Sequence, residues 1–247
     1  MVHLQYKGNV NRLIDESMRD VERLERGGVD GLLFENWGGD YSDRFVAQET
    51  RDYILAAMKE AAKTTKLPYG LNVLPLDYEA DFDIAKETGA RFVQIDTFVD
   101  RARTDWENEF ILQVHPHAVI EYRRRLGLDG VALFTNVQTK HYTMIPSNKR
   151  LETSAVQAVQ SGADALVVTG KSTRKKTPKE KLIRVRAVAD GIPVGIGSGF
   201  DANSASELLP YADFVIVGSS LKYDGITENP VCQRNVEHLR KVVDRQR

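Results

Sequence analysis

The sequence predicts an eight-stranded (β/α)8 barrel of the TIM type, folded as a single domain over residues 1–247. Three observations predict it. The chain has 247 residues, close to the usual size of one such barrel. Short apolar runs alternate with helix-patterned stretches eight times, an order that favours a parallel sheet. The stretch 193–222 (PVGIGSGFDANSASELLPYADFVIVGSSLK) carries two apolar runs, 194–196 and 214–217, each ending in a small-residue turn. Those turns are Gly197-Ser198-Gly199 and Gly218-Ser219-Ser220, with a helix-like segment between them. A strand that stops at glycines leaves main-chain N–H groups free. With the positive end of a helix dipole they make an anion site. In many β/α barrels the loops after strands seven and eight build the phosphate site in this way.

Each element has its own signature. Residues 2–4 are apolar and form the first strand. Across 11–26 the positions Ile14, Met18, Val21 and Leu24 have helical spacing, and Gly27-Gly28 is a natural stop. Residues 31–35 (GLLFE) form a second strand, ahead of a glycine-rich loop, and 47–63 is helical in pattern. A third strand, 69–74, carries Asn72 in its middle, and a helix over 77–88 stops at Gly89. The fourth strand, 92–96, ends in Asp96. A polar stretch, 97–109, leads to a helix over 116–126, with Pro116 in the first turn where its missing N–H is harmless. The fifth strand is 131–135, followed by a long loop, 136–148, and a helix over 149–160. The sixth is 165–169, with its helix over 178–189. After the eighth strand, Asn229-Pro230 reads as the cap and first position of a closing helix that runs to Val243. The strands are apolar throughout, as expected where both faces are buried.

Composition narrows the function. The net charge is −1, from 34 basic and 35 acidic residues mixed along the chain, so nothing suggests a grip on nucleic acid. One cysteine, Cys232, excludes an internal disulfide framework and suits a reducing compartment. The absence of a long apolar run or a signal-like start leads to the expectation of a cytoplasmic protein with no membrane span. The short first strand points to a second copy covering the barrel floor, so a homo-oligomer is expected.

In a β/α barrel the active site lies at the C-terminal ends of the strands. The polar residues there include His3, Glu35, Asn72, Asp96, Asn136, Lys140, His141 and Lys171. Strand alternation puts Leu33 with Glu35 and Gln94 with Asp96, so two carboxylates converge over the barrel mouth. Such a pair divides roles: the drier one has a raised pKa and acts as acid, while the other stays charged. The plainer reading is that each pairs with a loop lysine. Asn72 is a buried amide that needs partners, and so either binds substrate or braces a carboxylate. Lys140 and Lys171 suit a carboxylate or phosphate, and His3 and His141 suit acid–base work near neutrality. Glu35, Asp96, His3 and His141 are also the right types for a divalent metal. Their spacing carries no metal signature, so no metal or other cofactor is assigned. Gly170-Lys171-Ser172 is not a nucleotide P-loop, because position 165 is alanine. The glycines at 195, 197 and 199 lack the dinucleotide spacing. The run Arg174-Lys175-Lys176 is either a solvated loop or a lid over a bound anion. The partner these residues suggest is a small phosphorylated metabolite. It would be held at Gly197, Ser198, Gly199, Gly218, Ser219 and Ser220, with Glu35 and Asp96 as the catalytic pair.

The chain resembles the BtpA/SgcQ family. The stretches that carry the resemblance are VHL at 2–4, GGVDGLLFENWGG at 27–39, LNVLPLD at 71–77 and NVQTKH at 136–141, followed by GADALVVTG at 162–170, VGIGSGF at 194–200 and VIVGSSLKYDGITENPV at 215–231. The resemblance implies a barrel enzyme. One branch of the family is linked to photosystem I biogenesis, which gives the alternative of a non-catalytic assembly factor; another resembles members of sugar-metabolism operons. Three places depart from the family pattern. The loop after the first strand reads QYKGNVN (5–11) instead of a Pro-Gly-Ser-Pro-like loop, Asn136 stands where the family has Asp, and the turn after strand six reads TGKSTRKK. These departures point to a branch with a different substrate.

Overall fold

The computed structural model describes residues 1–37, 44–74, 76–105, 109–170, 172 and 175–246. The chain runs β1 (Val2–Leu4), α1 (Val10–Gly27), β2 (Leu32–Asn36), α2 (Gln48–Thr64), β3 (Tyr69–Asn72), α3 (Tyr78–Thr88) and β4 (Phe92–Ile95). It continues through β5 (Arg101–Thr104), β6 (Ile111–Leu112), α4 (Pro116–Arg125), β7 (Ala132–Asn136), β8 (Tyr142–Ile145), α5 (Leu151–Gln160), β9 (Ala165–Val168) and α6 (Lys179–Arg186). The last elements are β10 (Val194–Ile196), α7 (Ala205–Leu208), β11 (Phe214–Val215) and α8 (Gln233–Asp244). Eight strands make one parallel sheet in the order β1-β2-β3-β4-β7-β9-β10-β11. The strands at its two ends meet: the main-chain nitrogen of Met1 donates to Val217 O at 2.8 Å, and His3 lies against Gly218. This is the predicted TIM-barrel architecture.

The barrel interior is filled by ring against glycine. Phe92 and Phe134 stack at 4.7 Å between centroids, and Phe134 meets Phe214 at 5.0 Å. These rings occupy the space that a Cβ at Gly70 or Gly195 would need: such an atom would lie 2.3 Å from Phe92 O or 2.2 Å from the Phe214 ring. Outside the barrel, the apolar faces of the helices pack on Val2, Leu4, Leu32, Phe34, Leu71 and their neighbours. Helix α1 begins at Asn9, whose side chain accepts from Arg12 N, and ends at Gly28 in the left-handed conformation.

Three expectations are corrected. The polar stretch 97–109 and the loop 136–148 contain strands. β5 pairs antiparallel with β6 and β8 in a separate three-stranded sheet that joins the loops after β4 and β7. The segment between β10 and β11 holds only the four-residue α7 and a 3₁₀ turn, Leu209–Tyr211. No helix dipole begins at Gly199. The closing helix starts at Gln233 rather than Pro230, because Val231 is first drawn into the core and its N–H donates to Asp20 Oδ1 at 2.8 Å.

Candidate active site

A cavity of about 560 Å³ opens at the C-terminal ends of the barrel strands. His3, Glu35, Asp96, Asn136, Lys140 and His141 line it, together with both small-residue bends, Gly197-Ser198-Gly199 and Gly218-Ser219-Ser220. Asn72 is buried and is not among the lining residues; its amide reaches Asp96 Oδ1 at 3.4 Å. Lys171 and Arg174 lie outside the described residues.

The sheet register sets the row of side chains. His3 is level with Glu35 on β1 and β2, and Glu35 is level with Asn72 on β2 and β3. The imidazole Nε2 lies 3.9 Å from Glu35 Oε1, too far for a hydrogen bond. Among the described residues, nothing else pairs with the Glu35 carboxylate. Its side chain is only 14% exposed, and burial raises its pKa to about 7 against the opposing charge of Lys140. Burial, followed by the charge of Lys222, pushes His3 well below the usual imidazole range, so it is neutral at pH 7. His3 Nδ1 is buried with no hydrogen-bond partner among the described residues, and the ring meets Trp37 edge-on at 5.3 Å between centroids.

Asp96 is bound quite differently. Its Oδ1 accepts from Asn136 Nδ2 at 2.7 Å and from Asn72, and its Oδ2 accepts from the Tyr142 hydroxyl at 3.1 Å. Burial raises its pKa, while Lys140 and these three donors work against the rise. Asn136 is fixed in turn, since its Oδ1 accepts from Gln94 Nε2 at 3.0 Å and its Nδ2 also donates to Thr139 Oγ1 at 3.1 Å. The two carboxyl groups therefore differ in freedom: Asp96 is held in place and Glu35 is not.

Lys140 faces this pair. Its main-chain N–H donates to Thr169 Oγ1 at 3.0 Å, which anchors the loop after β7 to the end of β9. No carboxylate of a described residue lies within ion-pair distance of its ammonium. Even so, its charge bears on Glu35, Asp96, His3 and His141. His141 has a positive φ of 66°, and burial followed by Lys140 lowers its pKa.

At the other side of the cavity the serine hydroxyls brace the loops. Ser198 Oγ accepts from Gly170 N at 2.8 Å, Ser220 Oγ donates to Phe200 O at 2.8 Å, and Ser219 Oγ lies 2.6 Å from Thr227 Oγ1. The main-chain N–H groups of Ser198, Gly199, Ser219 and Ser220 have no acceptor among the described residues. Gly199 has φ +64°, and the Lys175 carbonyl lies where its Cβ would be, so only glycine fits that bend. Lys175 and Lys176 are exposed, and Lys176 pairs with Glu207.

Among the described residues, no group of three or more His, Cys, Asp or Glu side chains could hold a metal ion. His115 stands at the N-cap position of α4 without a side-chain capping bond, and His117 sits on the surface of that helix, 3.6 Å from Glu121. No described helix is long and apolar enough to cross a membrane. Sequence reasoning missed Tyr142 and Trp37. Tyr142 is placed by the long-range pairing of β8 with β5, for which the sequence carries no local signal.

The fold and the position of the cavity define a β/α-barrel protein with its candidate site at the customary end of the strands. Phosphoribosyl anthranilate isomerase of Thermus thermophilus is similar in structure, with a TM-score of 0.60 over 93% of this chain and 95% of that one, at 15% identity. The BtpA family model matches residues 2–245, and the chain belongs to the BtpA family. Relatives include a protein of Thermococcus kodakarensis, 31% identical over 99% of this chain and 92% of its own. The photosystem I biogenesis protein BtpA of Synechocystis is 30% identical over 90% of this chain and 76% of its own. SgcQ of Escherichia coli is 24% identical over 95% of this chain and 85% of its own.

Proposed function

We propose that the protein is a phosphate-recognising enzyme. Its substrate is a small phosphorylated sugar- or nucleoside-like metabolite, and Glu35 and Asp96 provide carboxylate acid–base chemistry. One observation carries the reading: two bends whose main-chain N–H groups have no acceptor among the described residues and a pair of buried carboxyls open into the same cavity. The bends hold the phosphate through main-chain N–H groups alone, since the serine hydroxyls are engaged with their own loops. Phosphate binding away from the reacting carbon fixes that carbon between the carboxyl groups, so that proton transfer drives isomerisation, lyase chemistry or glycosidic cleavage.

The test is calorimetric titration of a sugar phosphate into the native protein and into Ser219→Asp. The added carboxylate at the bend should abolish binding, and equal affinity for both proteins would remove the phosphate site. The name of the Synechocystis relative favours a second reading, a non-catalytic biogenesis factor. Full function in cells of a Glu35→Gln/Asp96→Asn double variant would favour that reading over the enzyme.

A further inference from the structure

The difference in freedom between the two carboxyl groups narrows the reaction. Glycosidic cleavage needs two carboxyl groups that both act, one giving a proton and the other serving as base or nucleophile. Asp96 is poorly suited to a share in that work. Three side chains donate to it, from β3, from β7 and from the first residue of β8. Glu35 has no such partners, lies beside the cavity, and faces Lys140, an ammonium with no carboxylate at ion-pair distance among the described residues. A carboxylate that no described side chain holds and a cation with no described counter-ion are the two groups needed to move a proton between neighbouring carbons: a base for the C–H, and a charge for the oxyanion that forms.

We propose that the site catalyses a 1,2-proton shift in the open-chain form of a sugar monophosphate, an aldose–ketose isomerisation with Glu35 as the single base and Lys140 as the oxyanion partner. This rests on the reading of the two bends as the phosphate site, and it narrows the acid–base work of that reading from the carboxyl pair to Glu35 alone, with Asp96 held by its three donors. The Glu35 carboxylate removes the hydrogen from the hydroxyl-bearing carbon next to the carbonyl. The C–H electron pair becomes the carbon–carbon double bond of an enediolate, and the carbonyl π pair moves onto oxygen, facing Lys140. The hydroxyl proton passes to the former carbonyl oxygen. The proton on Glu35 exchanges with solvent while the enediolate persists; Glu35 then protonates the former carbonyl carbon, and the carbonyl re-forms one position along. Only C–H and O–H bonds break and form, and the step requires no oxidant, reductant or cofactor. Asp96 is a positioning residue that holds Asn136, Tyr142 and the loop carrying Lys140.

The experiment is solvent exchange. The protein is incubated in deuterated buffer with glyceraldehyde 3-phosphate, ribose 5-phosphate and glucose 6-phosphate in turn, and deuterium at C1 and C2 is followed by proton NMR. Binding of inorganic phosphate is measured separately by calorimetry. Deuterium should enter one of these sugars. The rate should fall about 10²–10⁴-fold in Glu35→Gln and partly recover in Glu35→Asp, while Asp96→Asn slows exchange without ending it. Circular dichroism confirms that each variant is folded. If none of the three sugars exchanges while phosphate still binds, the isomerisation is overturned and the phosphate site stands. Loss of exchange in Asp96→Asn equal to that in Glu35→Gln also overturns it, by making Asp96 a second proton carrier. If phosphate does not bind, the phosphate reading fails first.

Discussion

Asn136 Nδ2 donates to Asp96 Oδ1 at 2.7 Å, the shortest of the three hydrogen bonds on that carboxyl group. An amide at 136 is thus a donor that holds a neighbouring charge in place. A carboxylate at the same position would be a second acceptor against it.

Asn136→Asp tests that relationship. Two carboxyl groups at hydrogen-bond distance cannot both ionise, so one takes a strongly raised pKa in the folded state. The sign follows from linkage. With a folded pKa above the unfolded one, the variant loses stability as pH rises through that interval and stays low above it. A rise of about 1–3 pKa units corresponds to about 1–4 kcal/mol. Urea unfolding at pH 5 and pH 8 should show the larger loss at pH 8. Equal losses at both would mean that the site simply relaxes around the new side chain.

Glu35 carries a similar signature in the native chain. Burial raises its pKa from an ordinary 4.5 to about 7, so the folded state holds a proton that the unfolded state has released between those values. Stability from this group therefore falls as pH rises from about 4.5 to about 7, and is flat beyond. The penalty above pH 7 is about 3 kcal/mol. Glu35→Gln should raise the melting temperature at pH 8 and change it little near pH 4. A gain that does not vary with pH would show that Glu35 is not desolvated. Under the proposed function, activity rises as pH passes about 7, because the base must be unprotonated.

Much of this arrangement was legible in the sequence, and the limits have physical causes. The apolar spacing of α1 and the Gly27-Gly28 stop describe a helix whose signals are local. Strand alternation alone placed Glu35 and Asp96 in one cavity, because a period of two fixes which face a side chain takes. The second sheet was not legible: β6 is two residues long, and β5 pairs with β8, whose first residue lies 38 positions beyond the last of β5 at the Thr104–Tyr142 pair. The network on Asp96 depends on Tyr142 and therefore shared that fate. Between β10 and β11 the helix-like pattern yields only the four-residue α7, followed at once by a 3₁₀ turn that contains Pro210, so no long helix dipole serves the anion site.

Gly195→Ala probes the ring-and-glycine filling of the barrel. The new methyl group would sit 2.2 Å from the Phe214 ring, inside any allowed contact. Overpacking of this kind costs about 1–3 kcal/mol or more. Adding Phe214→Leu removes the obstructing ring atoms and should restore part of the loss. Chemical denaturation of both variants decides the matter, and a double variant no more stable than Gly195→Ala would show that the strain lies in the backbone instead.

Lys222 and Asp20 lie 202 positions apart in sequence and meet at 2.7 Å, with the lysine 1% exposed. Burial lowers the lysine pKa and the Asp20 carboxylate opposes that shift, so the pair holds its charge only while both members are present. Asp20 is further engaged, accepting from Val231 N at 2.8 Å and from Arg23 at 3.4 Å. It ties α1 to the chain after β11, across the seam between the first and last barrel strands. Breaking a buried pair by removing one partner costs about 3–5 kcal/mol, whereas replacing both by apolar groups of similar volume is often nearly neutral. Here the second case does not apply in full, because the Val231 N–H would lose its acceptor. Lys222→Met should therefore destabilise by about 3–5 kcal/mol. Asp20→Asn/Lys222→Met, which keeps an oxygen for Val231, should recover most of that loss, and Asp20→Leu/Lys222→Met should recover less by the about 1–3 kcal/mol of an unpaired buried N–H. Equal stability of the two double variants would show that the Val231 contact contributes nothing, and that the ion pair alone closes the seam.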